Sequence, residues 1–160
     1  MSPIISVVGR SRSGKTTLIE KLIFELNKRG YRIGTVKHAF HEFEIDREGK
    51  DSWRHKKAGA ETVIVASADK IAMIKDEPYN TLNSIEKYFY DMDIVIAEGY
   101  KKENKPKIEI VRAEIANSPL CREENNLIAL VTDTDTKLNI PTFGLEQVDK
   151  IADLIEKLYL

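Results

Sequence analysis

The sequence of 160 residues contains a single cysteine, Cys121, so no disulfide can form within the chain. Structural disulfides belong to oxidising compartments, and their absence fits a protein of the reducing cytosol. No apolar stretch approaches the about 18 residues of a membrane-spanning helix. The N-terminal residues lack the charged, long-apolar and cleavage regions of a secretory signal. These absences exclude a disulfide scaffold and predict a cytoplasmic protein without a membrane segment.

The chain also lacks a strong net charge, since 25 Lys and Arg residues face 26 Asp and Glu residues. It has no stripe of basic and aromatic residues either, so nucleic acid is not expected as a partner. The charge is unevenly spread, however. Residues 1–60 hold 13 basic and 7 acidic residues, whereas residues 61–160 hold 12 and 19. A basic first third suits small polyanions such as nucleotides and phosphorylated pterins.

Residues 9–17 read GRSRSGKTT and match the pattern G-x-x-x-x-G-K-[ST]. A β-branched run, SPIISVVG, precedes them and predicts a buried strand. The stretch TTLIEKLIFELNKRG follows, with apolar residues at helical spacing and a glycine at its end. Strand, glycine-rich turn and helix are the context that a phosphate-binding loop requires. The motif therefore predicts a nucleotide site.

Each residue type in this loop has a chemical reason to be there. Gly9 and Gly14 permit the sharp turn that points successive N–H groups at one anion, and the helix start adds its positive dipole end. Lys15 can reach the β- and γ-phosphates, and Thr16 offers a hydroxyl to Mg²⁺. The two arginines of the loop either contact phosphate or are solvated. We assign the whole loop to nucleotide binding: Gly9, Arg10, Ser11, Arg12, Ser13, Gly14, Lys15, Thr16 and Thr17.

Apolar runs that predict strands alternate with segments that predict helices along the whole chain. The alternation predicts an α/β fold of the P-loop NTPase type, a three-layer sandwich whose mostly parallel sheet has helices on both faces. An antiparallel or edge strand extension is expected at 105–114, where apolar and polar residues alternate. We expect a single domain over residues 1–160. Strands are predicted at 2–9, 31–38, 61–67, 70–76, 93–99, 105–114, 126–133 and 141–144, and helices at 16–30, 51–60 (with Asp51 or Ser52 as N-cap), 81–91 and 146–160.

The strand DIVIAEG carries two acids, and their positions separate their roles. Asp93 begins it and Glu98 ends it, so they lie about 16 Å apart at ~3.3 Å per residue. Ligands of open α/β sheets bind at the carboxyl ends of the strands. A P-loop needs an acid on a neighbouring strand to hold Mg²⁺. We therefore predict Glu98 as the catalytic, metal-side acid with Thr16 as its companion ligand, and Asp93 as a residue of the strand start.

A second group of polar residues lies between positions 37 and 59. We interpret it as a mobile loop and helix that sense the γ-phosphate or receive a second substrate; the alternative is a solvated loop and helix face. Two of its histidines, His38 and His41, stand at spacing i,i+3 near carboxylates and could bind a transition metal, but no cysteine is near and the spacing offers no obvious fourth ligand. Asp46 is assigned a catalytic role in positioning water or metal. The switch or second-substrate candidates are Lys37, His38, His41, Lys50, Asp51, Arg54 and His55.

Three blocks of this sequence, in order, resemble the molybdopterin-guanine dinucleotide biosynthesis protein B family (MobB). They are GRSRSGKTTL, VKHAFHEFEIDREGKDSWRHKKAGA and DIVIAEGYKKENKPKIEIVR. The resemblance implies a cytoplasmic, homodimeric GTP-binding protein of molybdenum cofactor synthesis with weak GTPase activity. It also implies molybdopterin or its guanine dinucleotide as a ligand, and the nucleotidyltransferase that joins GMP to molybdopterin as a partner. The matching residues are Gly9, Gly14, Lys15 and Thr16 in the phosphate loop, Glu98 and Gly99 as the acid-glycine pair, and Lys37 to Gly59 as the second motif.

The sequence lacks the N-K-x-D motif by which ordinary GTPases recognise guanine. VTDTDTK stands in the comparable place after a late strand. Its carboxylates, Asp133 and Asp135, can accept hydrogen bonds from guanine N1–H and N2–H, or they belong to a polar turn. The preference for guanine therefore rests on the resemblance.

Two classes of function are compatible with these features. The first is a GTP-binding adaptor or slow switch, and the second is a small phosphotransferase acting on a phosphorylated metabolite. A kinase needs a mobile lid with catalytic cations. The lid candidate, residues 39–50, carries two cations against four acids, which disfavours fast phosphoryl transfer.

Overall fold

The computed structural model describes residues 2–39, 43–79, 81–121, 126–136 and 138–160. The chain forms two compact units. The main unit comprises Met1–His38 and Thr81–Leu160, and the inserted unit comprises Ala39–Asn80. The expectation of a single domain stays a prediction. In the described part of the chain, no helix combines the length and the apolar character needed to cross a bilayer.

The main unit is built on a six-stranded sheet whose described pairs are all parallel. Its strand order is β2-β5-β1-β6-β7-β8, and β3 and β4 form a separate antiparallel pair in the inserted unit. This arrangement confirms the predicted α/β fold class. The strands are β1 (Ile4–Gly9), β2 (Ile33–Lys37), β3 (Thr62–Ala66), β4 (Ile71–Lys75), β5 (Ile94–Glu98), β6 (Lys107–Val111), β7 (Leu127–Thr132) and β8 (Thr142–Phe143).

The helices that cover the two faces of the main sheet differ in kind. α1 (Lys15–Lys28) and α3 (Val148–Tyr159) pack on one face, where their buried apolar residues recur every three or four positions. The opposite face is covered in part by a 3₁₀ helix (Leu82–Phe89), whose Leu82 is wholly buried against the alternate residues of β1 and β5. Successive side chains of a strand point to opposite faces of the sheet, so β1 and β5 each contribute residues to the apolar core on both faces.

The strand β6 corrects the expected antiparallel or edge strand at 105–114. It lies inside the sheet, parallel to β1 on one side and to β7 on the other. Its polar residues are buried and hydrogen-bonded rather than solvated. Lys107 Nζ donates to the Glu103 carbonyl at 2.8 Å and to Asn126 Oδ1 at 3.1 Å, and the Glu109 carboxylate accepts two backbone N–H groups at 2.6 and 2.9 Å. The alternation therefore reflects satisfied polar groups inside the protein.

The short helix α2 (Asp51–Lys57) of the inserted unit begins differently from the prediction. Its N-cap is Lys50, in an extended conformation, and Asp51 is the first helical residue. Ser52 donates its hydroxyl to Asp46 Oδ1 at 3.0 Å instead of capping the helix. The prediction of Asp51 or Ser52 as N-cap was therefore wrong, although Asp51 still places a negative charge in the first turn.

Candidate functional site

The loop between β1 and α1 has the backbone that a phosphate-binding loop needs. Gly9 and Gly14 have φ angles of 150° and 91°, which L side chains rarely adopt. A Cβ on Gly9 would lie 2.6 Å from the carbonyl oxygen of Ile110, so no larger residue fits there. α1 starts immediately after Gly14, with Leu18 N donating to Gly14 O at 2.9 Å. The first turn of α1 therefore offers its N–H groups beside the loop.

The side chains of the loop divide into exposed and buried groups. Arg10, Ser11 and Arg12 are exposed, and Thr16 and Thr17 are exposed at the start of α1. Ser13 is buried, and its backbone N–H donates to the Arg10 carbonyl at 3.3 Å. The exposed arginines lie in solvent, and their contact with phosphate stays a prediction.

Lys15 is held across this loop by two of the loop's own carbonyl groups. Its Nζ donates to Gly9 O at 3.2 Å and to Arg10 O at 2.8 Å. Burial lowers the pKa of Lys15, the carboxylate of Glu98 opposes this shift, and the ammonium of Lys37 adds to it. The loop therefore positions an ammonium where the phosphates of a bound nucleotide would lie.

Glu98 joins three elements at the carboxyl edge of the sheet. It ends β5, and the strand register places Val7 of β1 and Lys37 of β2 on either side of it. Its Oε1 accepts the hydroxyl of Thr16 at 3.1 Å and lies 3.7 Å from Lys37 Nζ. A hydroxyl and a carboxylate oxygen this close are hard ligands of the kind that Mg²⁺ prefers, so the two residues fit the predicted metal role.

Asp93 lies at the opposite edge of the same strand. Its Oδ2 accepts the backbone N–H of Arg32 at 2.7 Å and lies 4.0 Å from Arg32 Nε. The carboxylate therefore ties the starts of β2 and β5 together. This placement confirms the prediction that Asp93 belongs to the strand start.

His38 follows β2 and continues the pairing with β5. Its backbone N–H donates to the Glu98 carbonyl at 3.1 Å, and its ring packs edge-on against Tyr100, with 5.0 Å between the centroids. Tyr100 has a φ of 61°, which is uncommon for a residue other than glycine. Sequence reasoning missed Tyr100, because a backbone angle leaves no motif in the sequence.

Asp133 has a structural role at the ends of β6 and β7. Its Oδ1 accepts the backbone N–H of Ala113 at 2.7 Å, and its Oδ2 lies 3.5 Å from Arg112 Nε. Asp135 is exposed. The contact of either carboxylate with guanine stays a prediction. Arg112, which sequence reasoning also missed, approaches the phosphate loop, since its Nη1 would lie 3.9 Å from a Cβ on Gly14.

The remaining candidates lie in the inserted unit. Asp46 Oδ1 accepts the N–H of Arg47 at 2.8 Å, in addition to the hydroxyl of Ser52, and so fastens the loop to α2. His41 lies outside the described residues. The described residues hold no group of three His, Cys, Asp or Glu side chains positioned for a metal ion. Four candidates are exposed at α2: Lys50, Asp51, Arg54 and His55.

Comparisons with known proteins agree on one family. The family model described as molybdopterin guanine dinucleotide synthesis protein B matches residues 4–133. A molybdopterin-guanine dinucleotide biosynthesis adapter protein of Haemophilus influenzae is 37% identical over 157 residues, which cover 96% of this chain and 88% of the relative. The adapter protein of Escherichia coli is 32% identical over 164 residues, with 97% and 92% covered.

Solved structures of the same name have the same fold. The crystal structure of molybdopterin-guanine biosynthesis protein B superposes with a TM-score of 0.76 at 34% identity, and 98% of each chain is covered. The crystal structure of Bacillus subtilis MobB gives a TM-score of 0.74 at 29% identity, with 95% of this chain and 97% of that chain covered.

Proposed function

Because the chain belongs to the molybdopterin guanine dinucleotide synthesis protein B family, we propose that it serves molybdenum cofactor biosynthesis as a GTP-binding adaptor with slow GTPase activity. In this role it assists the nucleotidyltransferase that attaches GMP to molybdopterin, in the cytoplasm. The observation that carries the proposal is the strand-end site, where Lys15 and Thr16 of the phosphate loop adjoin Glu98 of a neighbouring parallel strand.

The residues of this site have complementary tasks toward a nucleoside triphosphate. The N–H groups of the loop and of the first turn of α1 bind the phosphates, and Lys15 adds a mobile positive charge. Thr16 and Glu98 would hold a magnesium ion, which supplies the charge that neutralises the phosphate oxygens when bound. Guanine preference is part of the proposal, with Asp133 and Asp135 as the candidate acceptors.

An adaptor is favoured over a phosphotransferase by the charge of the candidate lid. Residues 39–50 carry Arg47 and Lys50 against four acidic residues. Arginine fingers supply on the order of 10³–10⁵ in rate where a rigid structure presents them to the phosphates. Arg47 is exposed, with its backbone N–H bonded to Asp46. Slow hydrolysis suits an adaptor, whereas a metabolic kinase requires fast transfer.

The proposal of a homodimer rests on the family and on an exposed apolar face of the inserted unit. β3 and β4 form a two-stranded ribbon, and one of its faces presents Ile64, Ile71 and Met73 with 58%, 72% and 43% of their surface exposed. Isolated two-stranded ribbons are marginally stable in water, and contiguous exposed apolar surface marks an interface. A second copy of the chain would cover this face.

A titration with GTP and with ATP, each with and without Mg²⁺, tests the proposal. We expect GTP to bind more tightly than ATP and Mg²⁺ to strengthen the binding. We also expect steady-state hydrolysis by the isolated protein to stay below about 1 s⁻¹, the lower end for kinases. Failure to bind GTP would overturn the proposal. Faster turnover with a phosphate acceptor would replace the adaptor by the phosphotransferase.

A further inference from the structure

The strands β2 and β5 carry a pair of opposite charges at each end. They run parallel, in register from Ile33 beside Ile94 to Lys37 beside Glu98. At the amino edge, Arg32 pairs with Asp93. At the carboxyl edge, which is the ligand side, Lys37 Nζ lies 3.7 Å from Glu98 Oε1. The register therefore makes Lys37 the lateral neighbour of the metal-side acid.

Lys37 shares a single carboxylate oxygen with the hydroxyl of Thr16. Glu98 Oε1 accepts from Thr16 at 3.1 Å, and the Glu98 side chain is only 17% exposed. The Lys37 side chain is 71% exposed, so its ammonium approaches from the solvent side. Glu98 Oε1, the oxygen suited to bind a divalent cation, therefore already lies beside the ammonium of Lys37.

Lys37 shares this edge of the sheet with Lys15 of the phosphate loop. The Nζ of Lys15 donates to the carbonyl of Gly9, which ends β1, and Lys37 ends β2, which lies two positions along the same sheet. Three charges therefore meet there: two ammonium groups and one carboxylate. A divalent cation at Glu98 would be repelled by the ammonium of Lys37, because like charges at such distances oppose each other.

We propose that Lys37 is the built-in counter-ion of Glu98, which competes with a divalent cation for this carboxylate and thereby sets how strongly nucleotide binding depends on magnesium. The inference rests on the proposed nucleotide site and assigns Lys37 to its metal side. Without Mg²⁺, the ammonium of Lys37 supports the phosphates. With Mg²⁺, its presence weakens the hold of Glu98 on the metal.

The substitution Lys37→Met tests this competition, with the affinity for GTP measured by equilibrium binding in EDTA and in a series of Mg²⁺ concentrations. We expect the affinity for GTP in EDTA to fall about fivefold. We also expect the Mg²⁺ concentration that gives half of the maximal increase in GTP affinity to fall by a similar factor, because exposed ion pairs have energies of this order. Lys37→Arg keeps the charge, so it should keep the magnesium dependence of the parent.

Arg32→Met is the matched control. It removes the same charge from the residue just before β2, about 16 Å from Lys37 at ~3.3 Å per residue, beyond the screening length of about 8 Å at physiological salt. We expect it to leave both quantities unchanged. An equal effect of Arg32→Met would overturn the inference, because a general loss of charge would then explain the result.

A double-mutant cycle tests the pairing of Lys37 with Glu98 directly. In a Glu98→Gln background, Lys37→Met should no longer shift the magnesium dependence, since no carboxylate remains to compete for. If the effects of the two substitutions on the magnesium dependence are purely additive, the inference is overturned. The proposed function would still stand in that case, provided that the parent binds GTP. A parent that binds no GTP would overturn both.

Discussion

Glu98 and Asp93 show how the position of a residue on a strand determines its role. Glu98 is the last residue of the five-residue strand β5, and Asp93 is the residue just before its start. The two acids therefore lie at opposite edges of the sheet. Glu98 contacts Thr16 of the phosphate loop, whereas Asp93 accepts the N–H of Arg32 at the other end. Only the carboxyl edge is a ligand side in a parallel sheet.

We therefore expect Glu98→Gln to raise the Mg²⁺ concentration needed to support GTP binding by about 10–100-fold, the range seen when residues supporting a metal are changed. Gln preserves the length of the side chain but removes the charge. Asp93→Asn makes the same chemical change at the other edge and should leave the magnesium titration as in the parent. A larger effect of Asp93→Asn would contradict the assignment.

The contribution of Lys15 to nucleotide binding can be tested separately from that of Glu98. Its ammonium bonds only loop carbonyls among its described hydrogen bonds, so Lys15→Met should not disturb the core. We expect GTP affinity to fall about 10- to 100-fold, since hydrogen bonds to charged groups contribute about 1.5–3 kcal/mol. Calorimetric titration measures the affinity, and thermal unfolding should be unchanged. Lys21→Met, on the same helix, is the control, and equal affinity of Lys15→Met and the parent would refute the role.

The helices α1 and α3 are joined at one end by the side chain of a single arginine. Arg29, just after α1, contacts Glu25 on its own helix and Asp153 and Glu156 on α3, and it donates to the carbonyl of Asp149. The hydrogen bonds to these carboxylates raise the pKa of Arg29 above its ordinary value. Its side chain is only 20% exposed, so water screens these contacts less than it would on an open surface.

We expect Arg29→Met to destabilise the protein by about 1–2 kcal/mol, because three carboxylates then lose their shared cation. This corresponds to a fall in the midpoint of thermal unfolding of about 3–6 °C for a chain of this size. Lys21, which pairs with the exposed Glu146, is the matched control between α1 and the turn before α3. Lys21→Met should change the midpoint by less than about 2 °C, and an equal loss in both variants would contradict the role of the Arg29 contacts.

At the scale of the whole molecule, the chain separates into a main unit with a wide buried core and an inserted unit with little core of its own. The described residues of the inserted unit include a single buried hydrophobic residue, Val63. Its ribbon leaves apolar side chains in water on the face that carries Met73. We expect a unit with so little core of its own to gain stability from burial against a partner surface, as the proposed dimer would provide.

We therefore expect Met73→Glu to weaken self-association about tenfold or more, because it places a charge in the apolar face that a second copy would cover. Sedimentation velocity over a range of concentrations measures the change. Tyr90→Glu introduces the same charge at a residue of the main unit that is 85% exposed, and it should leave the association unchanged. A parent that stays monomeric at high concentration would contradict the proposed dimer.

Prediction from the sequence succeeded where a structure depends on neighbours along the chain. The strand, loop and helix around Gly9 and Lys15 follow from local turn chemistry and from apolar periodicity. It was wrong at residues 105–114, because an alternating pattern cannot distinguish polar groups that face water from those buried with partners. Glu109 and Lys107 are buried with partners, and the donors and acceptors come from segments 4 to 19 residues away.

The sequence by itself determined the phosphate loop, the periodicity of the elements and the edge of the sheet on which Glu98 would lie. The tertiary structure alone decided that β5 lies between β1 and β2, which brings Thr16, Glu98 and Lys37 together across 82 residues of chain. The physical reason is the range of the forces. Turn geometry and side-chain periodicity act within a few residues, whereas strand order depends on hydrogen bonds and apolar packing between distant segments.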